Sequence, residues 1–486
     1  MSLTTALNIA QSALLATSRQ TSVVSQNVAG ARDPDHTRRI AVVSSTGPGA
    51  RVVQIQRATN ELLFRQNLVA GSSHAAQSAL LNGMERLGIA VNGADNATAP
   101  AAALAELQKA LDIYAANPSN RNLAEVAIDA ARHVARTLNA GTGSIQSFRA
   151  ETDADIATSV GELNDLLARF EDVNRAIISG TRAGRDVSQA LDQRDGLLKN
   201  ISELVPISTF TRGDNDMVIM AGNGSTLFET VPRKVAFEPL AGYSAGATGN
   251  AVYVDGVPLA GGSGGNTNAS GKLAGLVQLR DSVASTMQSQ LDEVARGMIA
   301  AFAETDPSAV MPDRPGLFTW PGAPGMPAAG ALVDGLAGVI RLNAAFDSSV
   351  GGNPEFLRDG GANGAAYISN TSNAASYSDL LMKYGDRLDQ PIAFDLAAQN
   401  GSSASVLTYA SNSIGWFEGV RQDASRAMEA KEALAMRTQE ALSNATGVNV
   451  DTEMTLLLDL ENAYEASARI LKAVDEMLVA LLAAVR

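Results

Sequence analysis

Both ends of this 486-residue chain carry the same heptad stripe of apolar residues, separated by more than 400 positions. At the amino end Leu3, Leu7, Ala10, Leu14, Thr17, Thr21, Val24 and Val28 alternate steps of four and three. At the carboxyl end Leu457, Leu460, Tyr464, Ser467, Leu471, Val474, Leu478, Leu481 and Val485 alternate steps of three and four. An alternation averaging 3.5 residues keeps one stripe facing a partner helix along its whole length, which is the coiled-coil condition. Each end therefore needs a partner. The most economical solution packs the first and last helices on each other and loops out everything between them as an insertion.

What lies between must supply its own core, and a chain of this length predicts two to four structural units. Hydrophobic residues make up 45% of the chain but aromatics only 5%. Much of the apolar share is alanine, which favours helix and buries little area per residue. Such material suits long helices packed side by side better than an enzyme with a deep aromatic-lined pocket. The net charge of −14 and the lack of any long Lys or Arg run argue against a nucleic-acid partner. The absence of cysteine excludes disulfides, thiolate catalysis and Cys-based metal sites. From Met1 to Gln20 no basic residue precedes Arg19, and Asn8, Gln11 and Ser12 interrupt the apolar residues. That start reads as an amphipathic helix rather than a secretory signal. No run approaches 18 apolar residues, so no membrane insertion is expected.

Along the chain the periodicity changes three times. Breakers at Gly30 to Pro34 precede short extended pieces around Ile40 to Val43 and Val52 to Ile55. Helical spacing then predicts helices over Leu104–Ile113, Leu123–Leu138 and Ile156–Ile177, with Asn117-Pro118 and Gly141 to Gly143 as stops. A fourth helix, about Val187 to Val205, repeats the heptad with Arg194 inside its apolar seam. A charged knob there either meets a carboxylate or the packing edge and fixes register, or runs out to solvent, and both readings stay open. Past Pro206 the period becomes two, with turn signals at Gly213-Asp214-Asn215, Gly222-Asn223-Gly224 and Asp255-Gly256, up to the loop Gly261 to Gly271. Helix resumes from Leu276 to Phe302 and again from about Tyr409 to Leu442, with Asp451 expected as N-cap of the last helix. The fold class expected is mainly α with inserted β. A long bundle or coiled coil of the terminal segments carries a small antiparallel β domain in the middle. The expected units are 1–45 plus 451–486 as terminal coiled coil; 46–205, 276–305 and 400–450 as helical bundle; 206–275 as β domain; and 306–399 as a mixed, irregular segment.

Chemistry finds no foothold in this pattern. His36, His74 and His133 have no HExxH spacing. The glycines 261–265 lack the Lys of a phosphate loop, and Asp214-Asn215-Asp216 lacks the Gly and Glu of a calcium loop. Asp192 and Asp195 share a helix with Arg194 and Lys199, which reads as a solvated or salt-bridged face. No catalytic residue, cofactor or metal ligand is expected.

Particular residues do resemble a family. Ala6-Leu7-Asn8-Ile9-Ala10-Gln11-Ser12-Ala13-Leu14, followed by Ser25-Gln26-Asn27-Val28-Ala29-Gly30-Ala31, resembles the amino-terminal signature of bacterial flagellar axial proteins. Gly447 to Met454, Ala463 to Ile470 and Asp475 to Leu478 resemble their carboxyl-terminal helix. Two internal elements are more discriminating. Leu191-Asp192-Gln193-Arg194-Asp195 with Ser202 to Val205, and Gly271 to Leu276 leading to Arg280-Asp281, are similar to elements of the hook-associated protein 1 family. The sequence departs from the family's pattern at Gly30, where Asn is usual, and over Arg32 to Arg38, where Asp35 and His36 replace Gly and Tyr.

The resemblance implies a structural subunit of the flagellum at the hook–filament junction, outside the cell, exported through the flagellar type III route without a cleaved signal. Its implied partners are copies of itself in a ring, the hook protein, the filament-side junction protein, the export apparatus, and an export chaperone at the carboxyl-terminal helix. The alternative within the class is another axial protein, either the filament-side junction protein or a hook subunit. Subunit packing is expected through Leu3, Leu7, Leu14, Val24, Val28, Leu457, Leu460, Tyr464, Leu471, Val474, Leu478, Leu481 and Val485. With Thr17, Thr21 and Ser467 in the seams, both ends are expected to stay mobile until neighbouring subunits fold them.

Overall fold

The computed structural model describes residues 3–46, 49–260 and 270–484. Val485 and most of the glycine loop, 261–269, lie outside the described residues. Helix α1 (Leu3–Gly30) is followed by a hairpin of β1 (Arg39–Thr46) and β2 (Gly49–Arg57), with a bulge between Val42 and Val43. The hairpin folds back along α1, so the first helix has a sheet on one side. Asn60 then caps α2 (Glu61–Asn92) by accepting from the Leu63 N–H at 3.1 Å, and Pro100 starts α3 (Pro100–Ala116), where its missing N–H costs nothing. Helix α4 (Arg121–Arg182) is 62 residues long and serves as the spine of the body.

The two helices expected from Leu123 and Ile156 are thus one, and the glycines between them are not stops. A Cβ on Gly141 would lie 3.0 Å from Leu291 Cδ1, so the bare glycine lets a crossing helix approach closely. After α5 (Ser188–Leu204) come two small antiparallel sheets. The first has the order β3 (Ile207–Thr211), β4 (Met217–Ala221), β5 (Thr226–Glu229), β6 (Val231–Pro232), and the second β7 (Val235–Ala236), β8 (Val252–Val254), β9 (Val257–Ala260). Met217 and Ile219, on one face of β4, share a core with residues of α4 and α5. Helix α6 (Lys272–Gln278) continues through a π turn at Leu279–Val283 into α7 (Ala284–Ala301).

Two hydrophobic cores share the spine. The second half of α4, from Ile156 to Phe170, packs with α5, α6 and the sheets. The first half packs with α3, the end of α2, α7 and the irregular stretch beyond it. That stretch contains α8 (Leu336–Val339), α9 (Phe356–Asp359) and α10 (Asp379–Asp389), and it contributes Phe318, Phe346, Tyr384 and Phe394 to the core. Its backbone is held by buried carboxylates on and just beyond α7. Asp292 accepts from the Gly335 and Ala337 N–H groups at 2.8 Å each, and Glu304 from those of Ala362 and Asn363 at 2.9 and 2.8 Å. Helix α11 (Val406–Thr446) then returns along α2, and α12 (Val450–Ala484) runs along α1. The cap of α12 is Asn449, whose Oδ1 accepts from the Thr452 N–H at 3.1 Å, and not Asp451. Asp451 sits one residue inside, where its charge favours the helix dipole.

Candidate functional site: the terminal helix pair and its root

The first and last helices do pack on each other, but they cover each other sparsely. Of the residues expected to pack subunits, Val24, Leu460 and Val474 are buried, while Leu3, Leu7, Leu14, Val28, Leu457, Leu471 and Leu478 are half-buried. Tyr464 and Leu481 stay 51% and 57% exposed. Away from the seam Leu458, Ile470, Met477, Val479 and Leu482 are exposed as well. Helix α12 therefore exposes apolar side chains beyond the seam that meets α1, beside a charged face of Glu461, Glu465, Arg469 and Lys472. A helix of that kind is stable in water only when more surface covers it.

The root of this pair is built differently. Glu453, 1% exposed, accepts from Arg38 Nε at 2.7 Å and from Asn27 Nδ2 at 2.9 Å. Asn27 also donates to the Arg39 carbonyl at 2.8 Å and accepts from the Arg39 N–H at 2.9 Å. One buried amide thus joins α1, the hairpin and α12, and the Arg38 N–H bonds the Thr446 carbonyl at 2.8 Å to bring in α11. Below it, Asp192 on α5 meets Arg39 and Arg57 at 3.2 and 2.9 Å, and Arg57 reaches Asp195 at 2.6 Å. Of the two readings of this face, solvated or salt-bridged, it is the salt-bridged one, and the face is largely buried.

The same root explains two departures from the family's pattern. The His36 ring lies where a Cβ on Gly30 would stand, with His36 Cγ 2.6 Å away. An imidazole at 36 needs glycine at 30. Burial, then the nearby Arg39 and Arg57 charges, hold the His36 pKa below its usual value against the pull of Asp192 and Asp33. His74 and His133 lie apart on α2 and α4.

Arg194 neither meets a carboxylate in its seam nor reaches solvent. It is 4% exposed and donates to Asn174 Oδ1 at 3.3 Å and to the Asn215 carbonyl at 2.6 Å, tying α5 to the turn before β4. That turn holds Asp214 and Asn215 at positive φ. In the second internal element Gly271 has φ +83°, and a Cβ on Gly275 would stand 2.5 Å from the Ala76 carbonyl oxygen. Arg280, placed by the π turn, pairs with Asp153 at 2.6 Å and Asp281 at 2.5 Å. Both elements are joints between units. Among the described residues no cluster of three or more His, Asp or Glu side chains could hold a metal ion, and no helix is long and apolar enough to cross a membrane.

The helical body thus has its two chain ends returned together as one sparsely covered helix pair. Comparisons with known proteins find likenesses to flagellar proteins. The family model for the flagellar hook-associated protein FlgK helical domain matches residues 91–310, and that for the flagellar basal body rod FlgEFG protein C-terminal matches residues 438–484. Flagellar hook-associated protein 1 of Bacillus subtilis (strain 168) is 22% identical over 522 residues, covering 97% of this chain and 96% of that protein. The solved structure of the flagellar hook junction protein FlgK from Burkholderia pseudomallei is 18% identical with a TM-score of 0.42, over 53% of this chain and 46% of that one. These matches support a likeness of the chain to the FlgK family of flagellar hook-associated proteins.

Proposed function

We propose that this chain is a structural subunit that assembles at the hook–filament junction and connects hook to filament. The observation that carries the reading is the apolar surface of α12 left uncovered by α1, notably Leu458, Ile470, Met477 and Leu481. Lateral packing of such helices from neighbouring subunits buries what one chain cannot, and closes a ring of identical contacts. The terminal unit, 1–45 with 451–486, is then the axial part, and the body with its β unit faces outward. Its partners are copies of itself, the hook protein below and the filament-side junction protein above. It reaches them outside the cell through the flagellar export apparatus, with a chaperone covering the carboxyl-terminal helix beforehand.

The rod-type match at 438–484 fits any axial subunit, so the last helix alone supports a hook subunit or the filament-side junction protein equally well. The helical-domain match at 91–310 favours the hook-proximal junction protein. Deleting the gene and inspecting the flagella tests this: the expected result is hooks without filaments, and normal filaments would remove the reading.

A further inference from the structure

The terminal helix pair joins the body through only two passages of chain, residues 31–60 and 447–449. Two thin connections make a hinge unless side chains lock them. Helix α5 supplies such a lock on one face. Asp192, Asp195 and Lys199, spaced i, i+3 and i+7, all reach the stretch that carries the hairpin. Asp192 Oδ1 accepts from Thr37 Oγ1 at 2.5 Å and lies 2.9 Å from Arg57 Nε, while its Oδ2 accepts from Arg39 Nη2 at 3.2 Å. Arg57 forks, sending Nη2 to Asp195 Oδ2 at 2.6 Å, and Lys199 Nζ donates to Asp35 Oδ1 at 2.8 Å. Gly196 lies among these groups, and a Cβ there would come within 3.0 Å of Asp35 Oδ2.

The opposite face of the same helix is fixed in the body. Leu198 and Ile201 are fully buried in the second core, and Arg194 is bonded to the turn before β4. A direction set on α5 is therefore passed rigidly to the hairpin, and from the hairpin through Asn27 to α1 and Glu453. Buried ion pairs of this kind add little net stability, because desolvation offsets their attraction, but they are strict about geometry.

We propose that Asp192 and Asp195 are positioning residues that set the angle of the terminal helix pair on the body, so that every subunit offers α12 to its neighbours in the same orientation. The angle itself is a property of the single chain. Only its use in assembly rests on the junction reading, so the two can fail separately.

The absence of cysteine makes the test direct. Exposed Ser25 on α1 and Thr158 on α4 accept spin labels as S25C and T158C in the full chain, and pulsed dipolar spectroscopy reads the distance between them. The expected result is one narrow distance peak for the parent, and its replacement by a broad distribution in D192N while the thermal melt of the body is kept. R57K, which keeps the charge but cannot fork to two carboxylates, is expected to lose the narrow peak as well, and it decides the matter if D192N does not fold. A broad parent distribution, or narrow parent-like peaks in the variants, would overturn the proposal. Failure of unlabelled D192N to restore filaments to a deletion strain, with the parent restoring them, is the expected consequence in assembly. Full restoration beside a lost narrow peak would overturn that consequence and leave the hinge angle standing.

Discussion

Helices α7 and α12 both carry many apolar residues and live in opposite surroundings. Fifteen of the eighteen residues of α7 are buried, whereas α12 buries only Glu453, Leu460 and Val474 of its thirty-five. Both carry alanine and two methionines, and α12, with eight leucines against one in α7, is the richer in leucine and yet the less covered. What separates them is the supply of partners within the chain. Helix α7 has α4, α11 and the 306–399 segment around it, while α12 has α1 alone along most of its length. A helix with exposed apolar residues outside its one covered seam fits the lateral packing proposed for it.

The comparison breaks most readily at the body end. Phe302, fully buried with its ring centroid 5.4 Å from that of Phe318 and 5.1 Å from that of Tyr384, is expected to cost about 3–5 kcal/mol as Phe302→Ala in chemical denaturation. Gly275→Ala is expected to cost about 1–3 kcal/mol by the same measurement. Alanine's better helix propensity, worth about 1 kcal/mol, is outweighed because the obstacle is the Ala76 backbone oxygen, which cannot rotate away.

A smaller effect is expected at the root. His36 has a lowered pKa in the folded chain, so the fold favours the neutral ring. Its contribution is complete above about pH 6.5, the free-imidazole value, and is lost as pH falls through the lowered folded value. The groups facing it are Arg39 and Arg57, which oppose protonation, and Asp192 and Asp33, which favour it. NMR titration of the His36 ring is expected to give a midpoint below that of free imidazole, and His36→Phe to remove this part of the acid sensitivity. The smallest effect on the monomer belongs to α12: Leu458→Ala is expected to change stability by under about 0.5 kcal/mol while reducing incorporation at the junction. A stability loss as large as that of Phe302→Ala would erase the contrast between the two helices.

Regular elements were legible in proportion to how regularly their buried residues recur. The stripe from Ile156 to Ile177 announces its helix, and the period-two runs after Pro206 announce the sheets. Gly141 reads as a stop because a sequence does not reveal that Leu291 will press against it. The 306–399 segment is opaque for a related reason. Phe318, Phe346, Tyr384 and Phe394 fall at no fixed interval, since short turns held by Asp292 and Glu304 deliver them to the core one at a time. At the root the residues themselves were visible, but not their meeting. Asp192 and Asp195 stand 135 or more positions from Arg39 and Arg57, and nothing in helical spacing links them. The exchange of Asn for Gly at position 30 made sense only once the His36 ring was found in the space that a side chain would fill.

On the proposed function, the terminal pair is anchored at its root and stays loose beyond it until other subunits cover it. Amide hydrogen exchange on the free full-length chain tests this residue by residue. Strong protection is expected over 284–301, and weak protection over 3–20 and 461–484. Protection of the distal terminal helices equal to that of α7 would contradict it.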